Sequence, residues 1–274
     1  MKRIGFVIIA TVLIAFACKS GKRQKNSPVT NENKRTAKLE TLTKNGITLT
    51  ELYSPEQFEN ATLQQEINSS YEDLDTNTIA LKFTTTNYEF GVPTDTTGLK
   101  NCANSAKGQH VHTLVDNGPY NALYTPMAKV KAGNDGQHIL LSFLSRSYHE
   151  SIKNKNAYVL TSAITGKSRI YSRFAQPDLS LPMMFYSRPK GEYTGSETDA
   201  VLLDFYLVNC DLAKDGYKVK AEINGTEFML TKWAGYFMEG LPKGKNVIKL
   251  TLLDAKGNRV DNQFNPVERT ITLK

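Results

Sequence analysis

The feature that most constrains the fold is a repeat inside the chain. GQHVHTLVDNGPYNALY (108–124) aligns with GYKVKAEINGTEFMLTK (216–232), and DGQHILLSFLS (135–145) with KGKNVIKLTLL (243–253), both at an offset of 108 residues. Upstream, IALKFTTTNYEF (79–90) aligns with VLLDFYLVNCDL (201–212) at an offset of 122, and LYSP (52–55) echoes FYSRP (185–189). The change of offset confines an insertion of 14 residues to the connection 91–108, where the second copy has only 213–216. Two matches at one offset, with the discrepancy held in one loop, mark a structural unit used twice.

The unit is made of strands. VLLDFYLVNCDL, GYKVKAEIN (216–224), EFMLTKW (227–233), YFMEGL (236–241), KNVIKLTLLD (245–254) and ERTITLK (268–274) are short and rich in β-branched and aromatic residues. Turn signals divide them: Asp215-Gly216, Asn224-Gly225, Pro242-Lys243-Gly244 and Lys256-Gly257-Asn258. Short strands at this spacing predict an immunoglobulin-like sandwich. The expected fold is therefore all-β: two tandem immunoglobulin-like domains at residues 46–165 and 181–274, joined by a linker at 166–180.

The N-terminus reads as a targeting segment. Lys2 and Arg3 precede an apolar run from Ile4 to Phe16, shorter than the roughly 20 residues of a bilayer-crossing helix. Basic flank, short apolar core and small residue before a cysteine are the marks of a secretory signal. Ala15-Phe16-Ala17-Cys18 resembles a bacterial lipobox, with Ala in place of the usual first Leu. The expectation is a signal peptide over 1–17, lipidation at Cys18 and a flexible tail over 18–45, with the acyl chains as anchor in the lipid bilayer.

The formal net charge of +7 does not point to nucleic acid. The surplus lies in the signal and in KSGKRQKNSPVTNENKRTAKLE (19–40), a polar spacer free of aromatics; the remaining body is balanced and lacks a basic footprint. Cys102 and Cys210 are expected unpaired. One lies in a loop of the first domain and the other at the end of a strand of the second, and a bond needs Cα atoms within about 7 Å.

FLSRSYHESIKNK (143–155), MFYSRPKGEY (184–193), NGTEFML (224–230) and FNPVERTITLK (264–274) resemble a family of uncharacterised cell-envelope lipoproteins of Bacteroidota, which often carry the automatic label "phosphopeptide-binding protein". The resemblance covers nearly the whole mature chain and implies an envelope lipoprotein without an established activity. A forkhead-associated domain reads phosphothreonine through Gly-Arg, Ser-x-x-His and Asn-Gly elements. This chain has no Gly-Arg step, and Ser145 to His149 has the wrong spacing. Surface-exposed lipoproteins of these bacteria tend to carry acidic residues after the cysteine. Lys19-Ser20-Gly21-Lys22 instead favours an outer-membrane protein facing the periplasm.

All four histidines, His110, His112, His138 and His149, fall in the first copy. Naming 79–90, 110–116, 138–145 and 157–164 strands B, C, F and G, the enlarged B–C loop and the F–G loop meet at one end. His110 begins strand C at that end, and the F–G loop carries Arg146, Tyr148, His149 and Glu150. Strand F runs antiparallel to C, which sends His138 to the far end. His110 and His112 match Lys218 and Lys220, which alternate with Val219, Ala221 and Ile223, so they are expected to point outward on one strand face. His110, His112 and His149, with Cys102 as a further donor, form a candidate copper or zinc site.

The same loop end, with Arg146, Tyr148, His149, Glu150, His110 and His112, suits a peptide or glycan ligand, and non-catalytic binding there is the leading expectation. Tyr120 and Tyr124 either join it or pack on the sheet. An enzyme is not expected. GxSxG, HExxH and glycine-rich phosphate loops are absent from the sequence. Asp116-Asn117-Gly118-Pro119 corresponds to a hairpin turn, and Ser145 or Ser147 with His149 and Glu150 share a single loop, where a triad needs groups from separate segments.

Overall fold

Period-two patterning forms strands throughout the chain. The computed structural model describes residues 39–55, 57–68, 77–100, 103–167 and 176–274. The signal segment, Cys18 and the tail to residue 38, Cys102, and linker residues 168–175 lie outside them. Among the described residues the one helical element is a 3-10 turn at Gly195–Thr198.

The strands are β1 (Thr41–Lys44), β2 (Ile47–Glu51), β3 (Thr62–Asn68), β4 (Thr78–Thr86), β5 (His110–Val115), β6 (Asn121–Leu123), β7 (Met127–Lys131), β8 (Gly136–Ser145) and β9 (Tyr158–Thr165). They continue as β10 (Met183–Arg188), β11 (Glu192–Tyr193), β12 (Val201–Val208), β13 (Lys218–Ile223), β14 (Thr226–Leu230), β15 (Tyr236–Glu239), β16 (Gly244–Leu253) and β17 (Val267–Leu273). Four sheets result: β3-β4-β7, β6-β5-β8-β9, β1-β2-β15-β12-β10 and β11-β17-β16-β13-β14. The first two make one immunoglobulin-like sandwich and the last two make the other.

The repeat holds residue by residue. Val111 faces Leu144 and Gly136 faces Thr165 in the first copy. Val219 faces Leu252 and Gly244 faces Leu273 in the second. Every one of these positions is displaced by 108. Ile79 faces Val130 and Val201 faces Met238, displaced by 122 and 108, which places the insertion between β4 and β5. The turns after β5 and β13 also agree. Asp116 and Asn117 have φ of +50° and +54°, Asn224 and Gly225 +49° and +79°, the left-handed pair that closes two-residue hairpins.

Two sequence expectations are corrected. The counterpart of β10 is β3, so LYSP is not equivalent to FYSRP; Leu52 instead packs with Tyr148, Ala200, Leu202 and Phe237. The division at residue 45/46 also fails for the N-terminal hairpin. Leu49 of β2 pairs with Met238 of β15, so β1 and β2 extend a sheet of the second sandwich. Backbone pairing outweighs sequence proximity there because an edge strand satisfies its amides only by finding a partner.

Three apolar layers separate the four sheets. Leu63, Ile79, Leu81, Phe83, Val111, Leu140 and Leu144 fill the first sandwich; Leu49, Met184, Val201, Leu203, Phe205, Ile248 and Leu250 help to fill the second. Between them, Leu114, Ile139, Leu141 and Phe143 meet Met183, Phe185, Tyr206, Val208 and Phe264. Burying each such side chain stabilises by about 1.5–3 kcal/mol, so the two sandwiches are joined by a third core rather than by a flexible hinge. Residues 39–274 form one body.

Candidate metal centre

β5 carries His110, His112 and Leu114 on the face turned away from its own core. That face was expected to meet solvent. Instead the second sandwich covers it, and both imidazoles are 0% exposed. The loop between β8 and β9 supplies the third ring. Arg146 and Glu150 close a short turn through Arg146 N–H to Glu150 O at 2.9 Å and His149 N–H to Arg146 O at 2.9 Å. His149 sits in the left-handed region at φ +68°, which swings its ring towards β5; such a conformation in a non-glycine residue is uncommon and concentrates at functional sites.

The three rings converge. His110 Nε2 lies 2.9 Å from His112 Nε2 and 3.0 Å from His149 Nδ1, and His112 Nε2 lies 3.3 Å from His149 Nδ1. Three neutral imidazole nitrogens cannot satisfy one another in a triangle. Each is either donor or acceptor, so at least one edge joins two alike. His110 Nδ1 donates to the Gly108 carbonyl at 2.9 Å, which leaves its Nε2 as a bare lone pair. Ligand nitrogens around a tetrahedral zinc at about 2.0–2.1 Å stand about 3.3–3.4 Å apart, so slight widening of the triangle fits an ion seated just off its plane.

Protonation does not relieve the crowding. Burial pushes His110 down to about 4, with Arg188 and Lys190 adding to the effect. His112 lies well below the ordinary histidine value through burial and its neighbouring charges. His149 is lowered by burial and then by Arg188. All three are neutral at physiological pH, the state in which imidazole ligates metals.

Outer contacts hold the rings in place. Gly108 must be glycine: its φ is +76° and a Cβ there would run into the Gly91 carbonyl. Tyr88 shares its hydroxyl between the carbonyls of His110 at 2.8 Å and Ser145 at 2.7 Å, tying the end of β5 to that of β8. The Tyr124 ring lies 4.6 Å from His110, and Tyr120 stacks on His112. The Tyr120 hydroxyl accepts from Arg188 Nε and Nη2 at 3.1 and 2.9 Å, and Lys190 Nζ lies 3.6 Å from the ring centroid. Burial lowers Lys190 to about 8, aided by Arg188 and Arg269.

The predicted B–C and F–G loops do meet. Ser147 N–H donates to Thr94 Oγ1 at 3.0 Å, and Thr94 N–H to Ser147 Oγ at 3.1 Å. They close the end rather than open it. Arg146 ion-pairs with Glu150 at 3.3 Å, Glu150 also accepts from Ser54, and Tyr148 is 0% exposed among residues of the second sandwich. His138 stands apart: its Nδ1 is 2.5 Å from Asp116 Oδ2 and its Nε2 3.0 Å from Thr165 Oγ1. Cys102 is outside the described residues, and Cys210 carries a free thiol. The sequence reading missed Ser187, Arg188 and Lys190. Their signal was the basic Arg-Pro-Lys step between Tyr186 and Tyr193, in a segment the chain needs for its domain interface.

No family model matches the chain, and no curated protein matches it. Among solved structures it is similar to the fibronectin(III)-like modules of Clostridium thermocellum CbhA, at 12% identity and a TM-score of 0.27, over 77% of this chain and 94% of that one. It is also similar to the central fibronectin-III array of RIM-binding protein, at 10% identity and a TM-score of 0.24, over 78% and 69% of the two chains. A further similar structure is the SGBP-B protein of the Bacteroides ovatus mixed-linkage glucan utilization locus, in complex with a mixed-linkage heptasaccharide. The identity is 10% and the TM-score 0.19, over 77% of this chain and 47% of that one.

Proposed function

We propose that this protein is a non-catalytic binding protein of the cell envelope, anchored through Cys18, whose ligand is a copper or zinc ion held by His110, His112 and His149. The observation that carries the reading is the triangle of three neutral imidazole nitrogens 2.9–3.3 Å apart, an arrangement that is self-repelling when empty and satisfied by a cation. No carboxylate or thiolate of the described residues joins the cluster. The peptide-or-glycan and phosphopeptide readings need an accessible loop end. Arg146, Tyr148 and Glu150, which were to supply it, are buried.

Calorimetry and competition titration of the purified mature chain with copper and zinc test this. One ion per chain is expected, with affinity lost by at least about 100-fold in His110→Ala and in His149→Ala. Binding weaker than about millimolar, or indifferent to both substitutions, would overturn the reading. Fractionation tests the anchor: Cys18→Ser should move the protein from the membrane to the soluble fraction.

A further inference from the structure

The charge around the three histidines bears on which ion they take. We infer that the site selects a monovalent, three-coordinate ion, copper(I), against zinc(II) and copper(II); this rests on the metal reading above.

The donor set is neutral. Three imidazoles contribute no negative charge, and the described residues bring no carboxylate or thiolate to the cluster. The carboxylate nearest in sequence, Glu150, is committed to Arg146 and Ser54. Among the described residues, therefore, nothing offsets the charge of a bound ion.

The surroundings are basic. Arg188 and Lys190 reach the triad's edge at Tyr120, and Arg269 binds the backbone carbonyls of Asn117 and Gly118 close by in sequence. Tyr120 holds the first two: its hydroxyl takes Arg188, its backbone carbonyl takes Lys190 at 2.7 Å, and its ring stacks on His112 with centroids 3.7 Å apart. Repulsion from these cations doubles between a monovalent and a divalent ion. The desolvation cost, which scales with the square of the charge, grows fourfold in a site whose imidazoles are at most 9% exposed.

Coordination number points the same way. Tetrahedral zinc needs a fourth ligand beyond three histidines, a water or an anion from outside the triad. The rings packed on the triad are instead aromatic: Tyr120 and Phe143 on His112, and Tyr124 on His110. Copper(I), with half the charge of zinc(II), is content with three nitrogen donors and no fourth ligand, and imidazole suits it.

The test measures copper(I) affinity anaerobically by competition with bathocuproine disulfonate under ascorbate, and zinc(II) affinity by competition with a chromogenic chelator, on the mature chain. Copper(I) should bind at least about a thousandfold more tightly than zinc(II). Lys190→Glu should narrow that ratio by about tenfold or more by strengthening zinc. Zinc binding as tightly as copper(I) in the wild type would overturn the inference while leaving a metal site in place, and this comparison needs no variant. A ratio unmoved in a folded Lys190→Glu protein would overturn it as well. If neither ion binds, the metal reading fails and this inference with it.

Discussion

The ring of Tyr120 lies flat on that of His112, centroids 3.7 Å apart and planes 12° from parallel. One residue thus joins a histidine of the first sandwich to Arg188 and Lys190 of the second. The stack fixes the plane of His112, and so the direction of its Nε2 lone pair. Tyr120→Phe keeps the stack and removes the acceptor for Arg188; it should cost about 1–2 kcal/mol in denaturant unfolding and leave metal affinity within about threefold. Tyr120→Ala should cost about 3 kcal/mol or more and weaken metal binding along with it.

His149 occupies a backbone conformation better suited to asparagine or glycine. That conformation aims its ring at His110 and His112. His149→Asn should leave the metal-free protein as stable as the wild type, or more so by up to about 1 kcal/mol. The same variant should lose the metal-induced rise in unfolding temperature that the wild type shows. Thermal scans with and without added metal separate the two effects.

Asn117 pins the turn after β5 to the second sandwich. Its side chain donates to the Met184 carbonyl at 3.1 Å and accepts from Tyr186 N–H at 2.8 Å. Arg269 donates to the backbone carbonyls of Asn117 and Gly118 at 2.9 and 2.8 Å. Because φ is +54° here, glycine is the clean substitution. Asn117→Gly should lower stability by about 2–3 kcal/mol through the buried groups left without partners, with a single cooperative transition retained in equilibrium unfolding.

His138 titrates in the opposite sense to the metal-site rings. Its hydrogen bond to Asp116 raises it above 6.5, against the effect of burial. A raised folded value means that stability is fully present below about pH 6.5, the unfolded value, and lost as pH rises through the folded value. Asp116→Asn keeps an oxygen for the Ile139 N–H, which Asp116 Oδ1 accepts at 2.9 Å, and removes the charge. The urea midpoint of the wild type should exceed that of Asp116→Asn at pH 6, and the gap should shrink by pH 9. Titration of the other histidines is common to both proteins and cancels in the difference.

The repeat was legible because strand register is set by period-two patterning, which both copies keep. The convergence of His110, His112 and His149 was also legible, since topology fixes which loops share an end. The cover over β5 was not inferred, although the residues held the clue. Ile139, Leu141 and Phe143 occupy outer positions of β8 where the second copy has Val247, Lys249 and Thr251. A strand apolar on both faces is a strand buried on both faces. Lys218 and Lys220 keep partial solvent exposure that His110 and His112, their counterparts in the covered copy, have lost. The place of β1 and β2 was beyond local pattern altogether, because it is decided by an open sheet edge far along the chain.

That placement sets a load path and an order of assembly. β2 lies between β1 and β15, and Lys232 reaches back 181 residues to Glu51. The chain enters the second sandwich, leaves it to build the first, and returns to the same sheet at β10. As the chain emerges N-terminus first, β2 cannot dock on β15 until almost the whole polypeptide has followed. Tension applied at residue 39 reaches the second sandwich by shearing β2 along β15, and the histidine triad lies inside a loop of chain whose two ends are stitched into one sheet. Stretching the N-terminus therefore loads the sandwich that has no histidines and leaves the one that has them slack.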